Sequence, residues 1–191
     1  MIVEVSTGYY GKTHESKEWL HRASQGRNFM RYTPIVGTLG YILSPDRTKT
    51  LLVHRSFRPD DDQLGKYNGV GGKMLSTEDV VTCMRREILE ETGLRVKTMR
   101  LRGTINWTGF GPNGEDWLGF IFLVEEFEGS PFQENAEGTL AWHELNELDR
   151  LPMWKGDRFF LPLVFDDDPR CFHGTMPYDH DEPLSWSYER L

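Results

Sequence analysis

The chain has 191 residues, with 22 Lys plus Arg against 30 Asp plus Glu for a formal net charge of -8, and it is 38% hydrophobic and 13% aromatic. That apolar content supplies one packed domain and excludes wholesale disorder, while the acidic balance opposes the charge neutralisation that binding a phosphate polymer requires, so no stable nucleic-acid complex is expected. Cys83 and Cys171 stand far apart without metal-like partners, which speaks against a disulfide framework or a zinc site.

No apolar run approaches the roughly 20 residues of a membrane helix. The N-terminus, interrupted by Glu4, Thr7 and Gly8, lacks the basic start and apolar centre of a secretory signal, so a reducing cytoplasmic setting is expected. Residues 1–30 are polar and mixed in sign, with a short helix predicted at 16–21, and are read as an N-terminal extension. The hydrophobic patterning is continuous from Tyr32 onward, so residues 31–191 are read as one domain.

Residues 34–43 and 50–54 are rich in β-branched, aromatic and glycine residues and predict strands. Residues 56–66, with Pro59 and the consecutive Asp60, Asp61 and Asp62, predict a solvated loop. Ser76, followed three residues on by Asp79, gives a start resembling a capping box, and Gly93 gives a left-handed stop. A helix over 77–92 follows, with Val81, Met84 and Ile88 as its buried stripe and Val80 nearby. Residues 96–106 and 117–126 predict an antiparallel hairpin turned through Pro112, Asn113 and Gly114. Residues 140–143 predict a short strand, 157–163 an amphipathic helix, and 171–176 and 184–188 late strands. Strands and helices do not alternate regularly, which favours an α+β or α/β sandwich around a mixed sheet over a doubly wound dinucleotide fold.

On the predicted helix Glu87, Glu90 and Glu91 fall at i, i+3 and i+4, where like charges destabilise one another by a few tenths of a kcal/mol per pair. A bare glutamate triplet is more often a solvated face, by about three to one. As a ligand set its hard oxygens suit Mg²⁺ or Mn²⁺. The flanking residues reverse that weighting. Residues 72–94 read GKMLSTEDVVTCMRREILEETGL, and Gly72, Glu78, Arg86, Glu87, Ile88, Glu90, Glu91, Gly93 and Leu94 fill every fixed position of a motif that resembles the Nudix box of the Nudix hydrolases. A chance match is on the order of 10⁻⁷. The same glycines are not a phosphate-binding loop of the P-loop type, since Tyr67 stands where its first glycine is required and Met74 follows Lys73.

The resemblance implies a Nudix-type α/β/α sandwich with a mixed β-sheet, and hydrolysis of a nucleoside diphosphate linked to a further moiety. It implies Mg²⁺ as cofactor, with Mn²⁺ able to replace it. Glu87, Glu90 and Glu91 would be the catalytic and metal-binding carboxylates, joined by the backbone carbonyl of Gly72 or Gly71. Glu87 would orient or deprotonate the attacking water, although which glutamate is the base varies within the family. Arg86 and Glu78 would form a structural pair.

Outside the box, residues 66–73 (KYNGVGGK), 152–163 (PMWKGDRFFLPL) and 171–179 (CFHGTMPYD) are similar to segments of the 8-oxo-dGTP diphosphatases, the MutT-related oxidised purine nucleoside triphosphatases. This likeness implies a substrate-binding set of Asn68, Lys73, Trp107, Trp154 and Asp157, in which Trp154 stacks on the base while Asp157 and Asn68 meet its polar edge. Glu137, upstream of Trp142, matches the place of an additional metal-binding glutamate. Each residue also has a plainer reading: Trp154 as a core aromatic, Asp157 as an acid favouring a helix N-terminus, Asn68 as a turn residue before Gly69, and Glu137 as a surface glutamate.

One departure is plain. Relatives that accept several oxidised purines carry two adjacent acids in the base pocket, whereas Gly156 precedes the single Asp157 here, which argues for narrower acceptance. The expected partner is a purine nucleoside triphosphate, with monomer or homodimer left open. The alternatives are a Nudix hydrolase of a dinucleoside polyphosphate, a nucleotide sugar or an RNA 5′ end, and a non-catalytic Nudix-fold binding module.

Overall fold

The computed structural model describes residues 32–59 and 63–191, so the helix predicted at 16–21 and the aspartates at 60–62 lie outside the described residues. In chain order the described residues form β1 (Ile35–Leu43), β2 (Lys49–Arg55), β3 (Tyr67–Asn68), β4 (Val70–Lys73), α1 (Val80–Thr92), β5 (Arg95–Phe110) and β6 (Glu115–Glu128). There follow β7 (Gly138–Glu144), a 3₁₀ turn (Leu145–Arg150), α2 (Asp157–Phe165), β8 (Phe172–His180), β9 (Glu182–Pro183) and β10 (Ser187–Arg190).

The sheet is mixed, as expected. β1 runs parallel to β6 and β5 runs parallel to β8, while the other pairings are antiparallel. Its order is β10-β8-β5-β6-β1-β2-β3, with β4 pairing the first half of β1, β7 pairing β2 and β9 pairing β8. The predicted hairpin is present with longer arms, closed by Gly114, whose N–H donates to the Gly111 carbonyl at 3.1 Å.

Period-2 alternation along the central strands divides their side chains between two cores. Tyr41, Leu43, Leu52, Ile121 and Leu123 meet Phe160, Leu161 and Val164 of α2 on one face. Ile42, Leu51, Val53, Phe122 and Val124 meet Met84 and Ile88 of α1 on the other. This is why these strands carry nearly unbroken apolar runs: both faces are covered. Each fully buried Ile, Leu or Phe contributes about 1.5–3 kcal/mol, so the two helices are held on opposite faces by packing more than by intrinsic propensity. The result is the helix–sheet–helix sandwich expected.

Four elements differ from the sequence expectation. Helix α1 begins at Val80 rather than 77, because Asp79 is the N-cap: its carboxylate accepts from the Val81 and Thr82 N–H groups at 2.8 and 3.0 Å. Ser76 therefore does not cap it, and Glu78 lies in the preceding loop, where it accepts from the Leu75 N–H at 2.9 Å. The C-terminal end is as expected, with Gly93 at φ 74° donating to the Leu89 carbonyl. The strand predicted over 184–188 starts only at Ser187, since the Leu184 N–H turns back to the Pro177 carbonyl at 2.8 Å. The short strands β3 and β4 lie in a stretch that carried no strand prediction.

Candidate active site

β4 runs so close to β1 that a Cβ on Gly71 would stand 2.0 Å from the Thr38 carbonyl oxygen, and one on Gly72 would stand 2.6 Å from the Glu87 carboxyl. Glycine at both positions lets the box helix α1 press its carboxylate face against the backbone of β4. Three glutamates of that helix occupy different settings. Glu87 is largely covered and pairs with the Arg86 guanidinium at 2.6 Å. Glu90 faces outward, its side chain 59% exposed, and meets the same guanidinium at 3.2 Å. Glu91 is enclosed, and its carboxyl is pushed up to about 8, first by burial and then by the negative charges of Glu137 and Glu87, with Arg55 opposing.

The loop bearing Glu137 is tied to this helix by Asn135. Its side-chain oxygen accepts from the Glu137 N–H at 2.8 Å, and its amide donates to the Glu91 carbonyl at 3.3 Å. Glu137 in turn pairs with Arg55, at the end of β2. The structure thus brings Glu87, Glu91 and Glu137 into one electrostatic neighbourhood and leaves Glu90 on its outer side. Arg86 grips Glu78 through Nε and Nη2 at 3.0 and 2.7 Å and reaches the Lys73 carbonyl at 3.4 Å, so it clasps the loop, β4 and α1 together.

Among the described residues no three His, Cys, Asp or Glu side chains already stand in a metal-holding arrangement. The donor chemistry nevertheless fits a hard divalent cation. The donors are carboxylates and backbone oxygens, and the enclosed Glu91 carboxyl is pushed up first by burial and then by neighbouring negative charge, which a cation would offset.

Beside this cluster opens a cleft of about 350 Å³ whose lining has two chemistries. Arg55, Gly71, Gly72, Lys73 and Glu137 make a charged part; Trp107, Phe110, Trp117 and Trp154 make an aromatic part, with Asn68, Asp157, Tyr41 and Tyr178 as its polar groups. All five residues of the expected substrate-binding set therefore line one cleft. Glu87, Glu90 and Glu91 are not in its lining, and Glu87 stands against β4 at Gly72.

Trp154 sits before α2 rather than on it, packed edge-on to Phe110 at 5.0 Å between ring centres, with the Lys66 ammonium 3.8 Å over its ring. Trp107 packs edge-on to Phe160 at 6.2 Å, and the Lys73 ammonium lies 5.1 Å over Trp117. Asn68 on β3 donates through its amide to Gln63. Asp157 is the first residue of α2, only 9% exposed, and burial pushes its carboxyl up to about 7 against a hydrogen bond from its backbone neighbourhood at Trp154.

The sequence reading did not single out Arg55, Gln63, Phe110, Asn135, Tyr41 or Tyr178. Tyr178 lay within a quoted segment, 171–179, but no spacing marked it. The others reach the site through sheet pairing and loop closure, which leave no local pattern.

The model of the NUDIX domain matches residues 34–164 of the chain. A mouse protein named oxidized purine nucleoside triphosphate hydrolase is 31% identical over 154 residues, covering 81% of this chain and 94% of the mouse protein. A Bacillus subtilis (strain 168) protein named uncharacterized Nudix hydrolase YvcI is 34% identical over 118 residues, 60% of this chain and 73% of its own length. Among solved structures, a MutT protein from Bacillus halodurans superposes with a TM-score of 0.69 at 29% identity, covering 81% of this chain and 97% of that one.

Proposed function

The chain belongs to the Nudix family, and from that premise we propose that it hydrolyses a nucleoside triphosphate to the monophosphate and pyrophosphate, with 8-oxo-dGTP as its preferred substrate. The observation that carries this reading is the single cleft in which an aromatic, hydrogen-bonding part adjoins a charged part bordered by the box. A purine needs stacking faces and edge partners, whereas a triphosphate needs cations and a metal-binding carboxylate set. The relative's name, which specifies an oxidised purine nucleoside triphosphate, supports the choice of base.

Nudix hydrolases generally use divalent metal ions; Mg²⁺ is the proposed cofactor, with Glu87, Glu90, Glu91, Glu137 and the Gly72 carbonyl as the residues that would hold it. Held there, the ion would supply neutralisation of polyphosphate charge and would lower the pKa of bound water. Glu87, pressed against the β4 backbone, would orient the attacking water and take its proton. Arg55 and Lys73, which line the cleft, would meet phosphate oxygens, and Trp154 would stack on the purine. Arg86 acts at one remove by fixing Glu87 and Glu78.

Residues 31–191 are assigned as the hydrolase domain and 1–30 as an extension outside the chemistry, with the nucleotide pool of the cytoplasm as the setting. Among the described residues no helix is long and apolar enough to cross a membrane. Phosphorus NMR of the products tests the reaction. Pyrophosphate with nucleoside monophosphate is the expected pair, abolished by chelation and restored by Mg²⁺. Inorganic phosphate with a diphosphate would refute it, and no hydrolysis with any divalent cation would favour a binding module.

A further inference from the structure

The ion pair between Arg55 and Glu137 stands where the cleft meets the carboxylate cluster. Both residues line the charged part of the cleft, whereas Glu87, Glu90 and Glu91 are outside that lining, so among the described residues Glu137 is the member of the proposed ligand set that faces the cleft. Both side chains are largely covered. The Arg55 charge also reaches α1, where it opposes the rise that burial, Glu137 and Glu87 impose on the Glu91 carboxyl. The backbone beneath the pair is fixed on both sides. The Arg55 N–H donates to the Lys66 carbonyl at 3.0 Å, and the Arg55 carbonyl accepts from the Gly65 N–H at 2.6 Å. The Glu137 carbonyl accepts from the Ser56 and Phe57 N–H groups, each at 3.1 Å, and the Glu137 N–H is held by the Asn135 side chain at 2.8 Å. β2 and β7 approach so closely here that a Cβ on Gly138 would stand 1.8 Å from the His54 carbonyl oxygen. A change of partner at this point is therefore a movement of two side chains on a rigid frame.

Resting on the reading of this site as a metal-assisted nucleotide hydrolase, we propose that Arg55 exchanges partners: it holds Glu137 in the unloaded protein and yields it to a divalent cation when polyphosphate oxygens take the guanidinium. A guanidinium presents a planar fork of donors that matches a carboxylate and a phosphate alike, so the exchange leaves Arg55 paired at both ends. The pair must open before the Glu137 carboxylate can serve as a ligand, so a cation arriving alone binds more weakly than the carboxylates by themselves would allow. Opening a covered pair is costly only when it strands a charge, and neither charge is stranded if cation and polyphosphate arrive together. Binding of the two is thereby coupled through Arg55, and the coupling is reciprocal. The same pair explains how the unloaded protein tolerates Glu137 so near Glu87 and Glu91, since the guanidinium supplies an offsetting charge until the cation does.

Titration of the full chain with Mn²⁺ alone, followed by electron paramagnetic resonance of the free ion, tests this without any turnover. Arg55→Met keeps the length of the side chain and removes its charge, and should bind Mn²⁺ about three- to tenfold more tightly than the unmutated chain. The gain should be absent when the same change is made in a Glu137→Gln chain, because the exchange runs through that carboxylate. A gain of equal size in that background would show a general effect of charge and overturn the proposal. A pair that only staples the loop before β7 to β2 would lower the melting temperature of Arg55→Met and leave its Mn²⁺ affinity unchanged, which would overturn it too. For the other half of the exchange, calorimetry with the Mg²⁺ complex of inorganic tripolyphosphate should show binding about five- to tenfold weaker in Arg55→Met; unchanged binding, or none to the unmutated chain, would refute it. Tripolyphosphate has no base and nothing is hydrolysed, so both results can hold even if the substrate is a different nucleotide. Hydrolysis of 8-oxo-dGTP by a chain whose Mn²⁺ affinity Arg55→Met does not move would leave the proposed reaction standing and sink the exchange.

Discussion

Asp157 and Glu91 are both enclosed carboxyls with raised pKa values, yet the causes differ, and so do the experiments that expose them. For Asp157 burial alone raises the value, from 3.8 to about 7. Between those values the unfolded chain has lost a proton that the folded chain retains, so stability declines as pH rises toward 7 and levels off above it. Asp157→Asn keeps the shape and removes this dependence. Its stability relative to the unmutated chain, from urea unfolding, should therefore improve by about 2 to 3 kcal/mol between pH 5 and pH 8, at roughly 1.4 kcal/mol per unit. An equal difference at both pH values would mean that the carboxyl is not held neutral. For Glu91 two neighbouring carboxylates, Glu137 and Glu87, add to burial. Glu91→Gln should lose roughly a hundredfold or more in kcat/KM with Mg²⁺ while melting no lower than the unmutated chain without it, since the carboxylate proposed to bind metal also repels its neighbours. Near-normal turnover would remove Glu91 from the ligand set.

Helix α2 presents Asp157 at its start, and its far end is held by Arg102 of β5. The buried Arg102 guanidinium donates to the carbonyls of Leu163, Val164, Asp166 and Asp168 at 2.8 to 3.1 Å and to the Asp166 carboxylate at 2.7 Å. One side chain thus satisfies the carbonyls a helix terminus leaves open. Arg102→Met should cost about 3 kcal/mol in urea unfolding and also raise KM, because the element that carries Asp157 loses its anchor. Unchanged stability would show that water satisfies those carbonyls equally well. The same contrast explains which elements were legible. The Gly93 stop and the apolar stripe of α1 are local patterns, and both ends of the hairpin at Gly114 are marked by turn residues. By contrast β4 is a strand only because β1 lies alongside glycines that admit its backbone, and Arg102 reads as a surface charge until β8 and α2 close over it. Asp79 rather than Ser76 is the cap, its carboxylate taking the Val81 and Thr82 N–H groups, a choice between two cap-forming residues that spacing alone does not rank.

At the scale of the whole molecule the described residues that line the cleft fall between Gly37 and Tyr178, within the unit Thr33–Leu191. Deleting residues 1–25 should therefore leave kcat/KM within about twofold and the melting temperature nearly unchanged; loss of activity with folding preserved would place the extension in the site. The box was legible because its residues are contiguous. The cleft and its surroundings were legible only in part, since Asn68, Trp154 and Asp157 sit in recognisable segments, whereas Arg55, Tyr41 and Asn135 are delivered by long-range pairing. The central claim, a purine triphosphate pyrophosphohydrolase tuned to oxidised guanine, is tested most directly by ranking kcat/KM with Mg²⁺ over 8-oxo-dGTP, dGTP, a dinucleoside polyphosphate, a nucleotide sugar and a 5′-triphosphate RNA. The account predicts 8-oxo-dGTP first and ahead of dGTP by about tenfold or more; faster hydrolysis of the nucleotide sugar, the dinucleoside polyphosphate or the RNA end would contradict it.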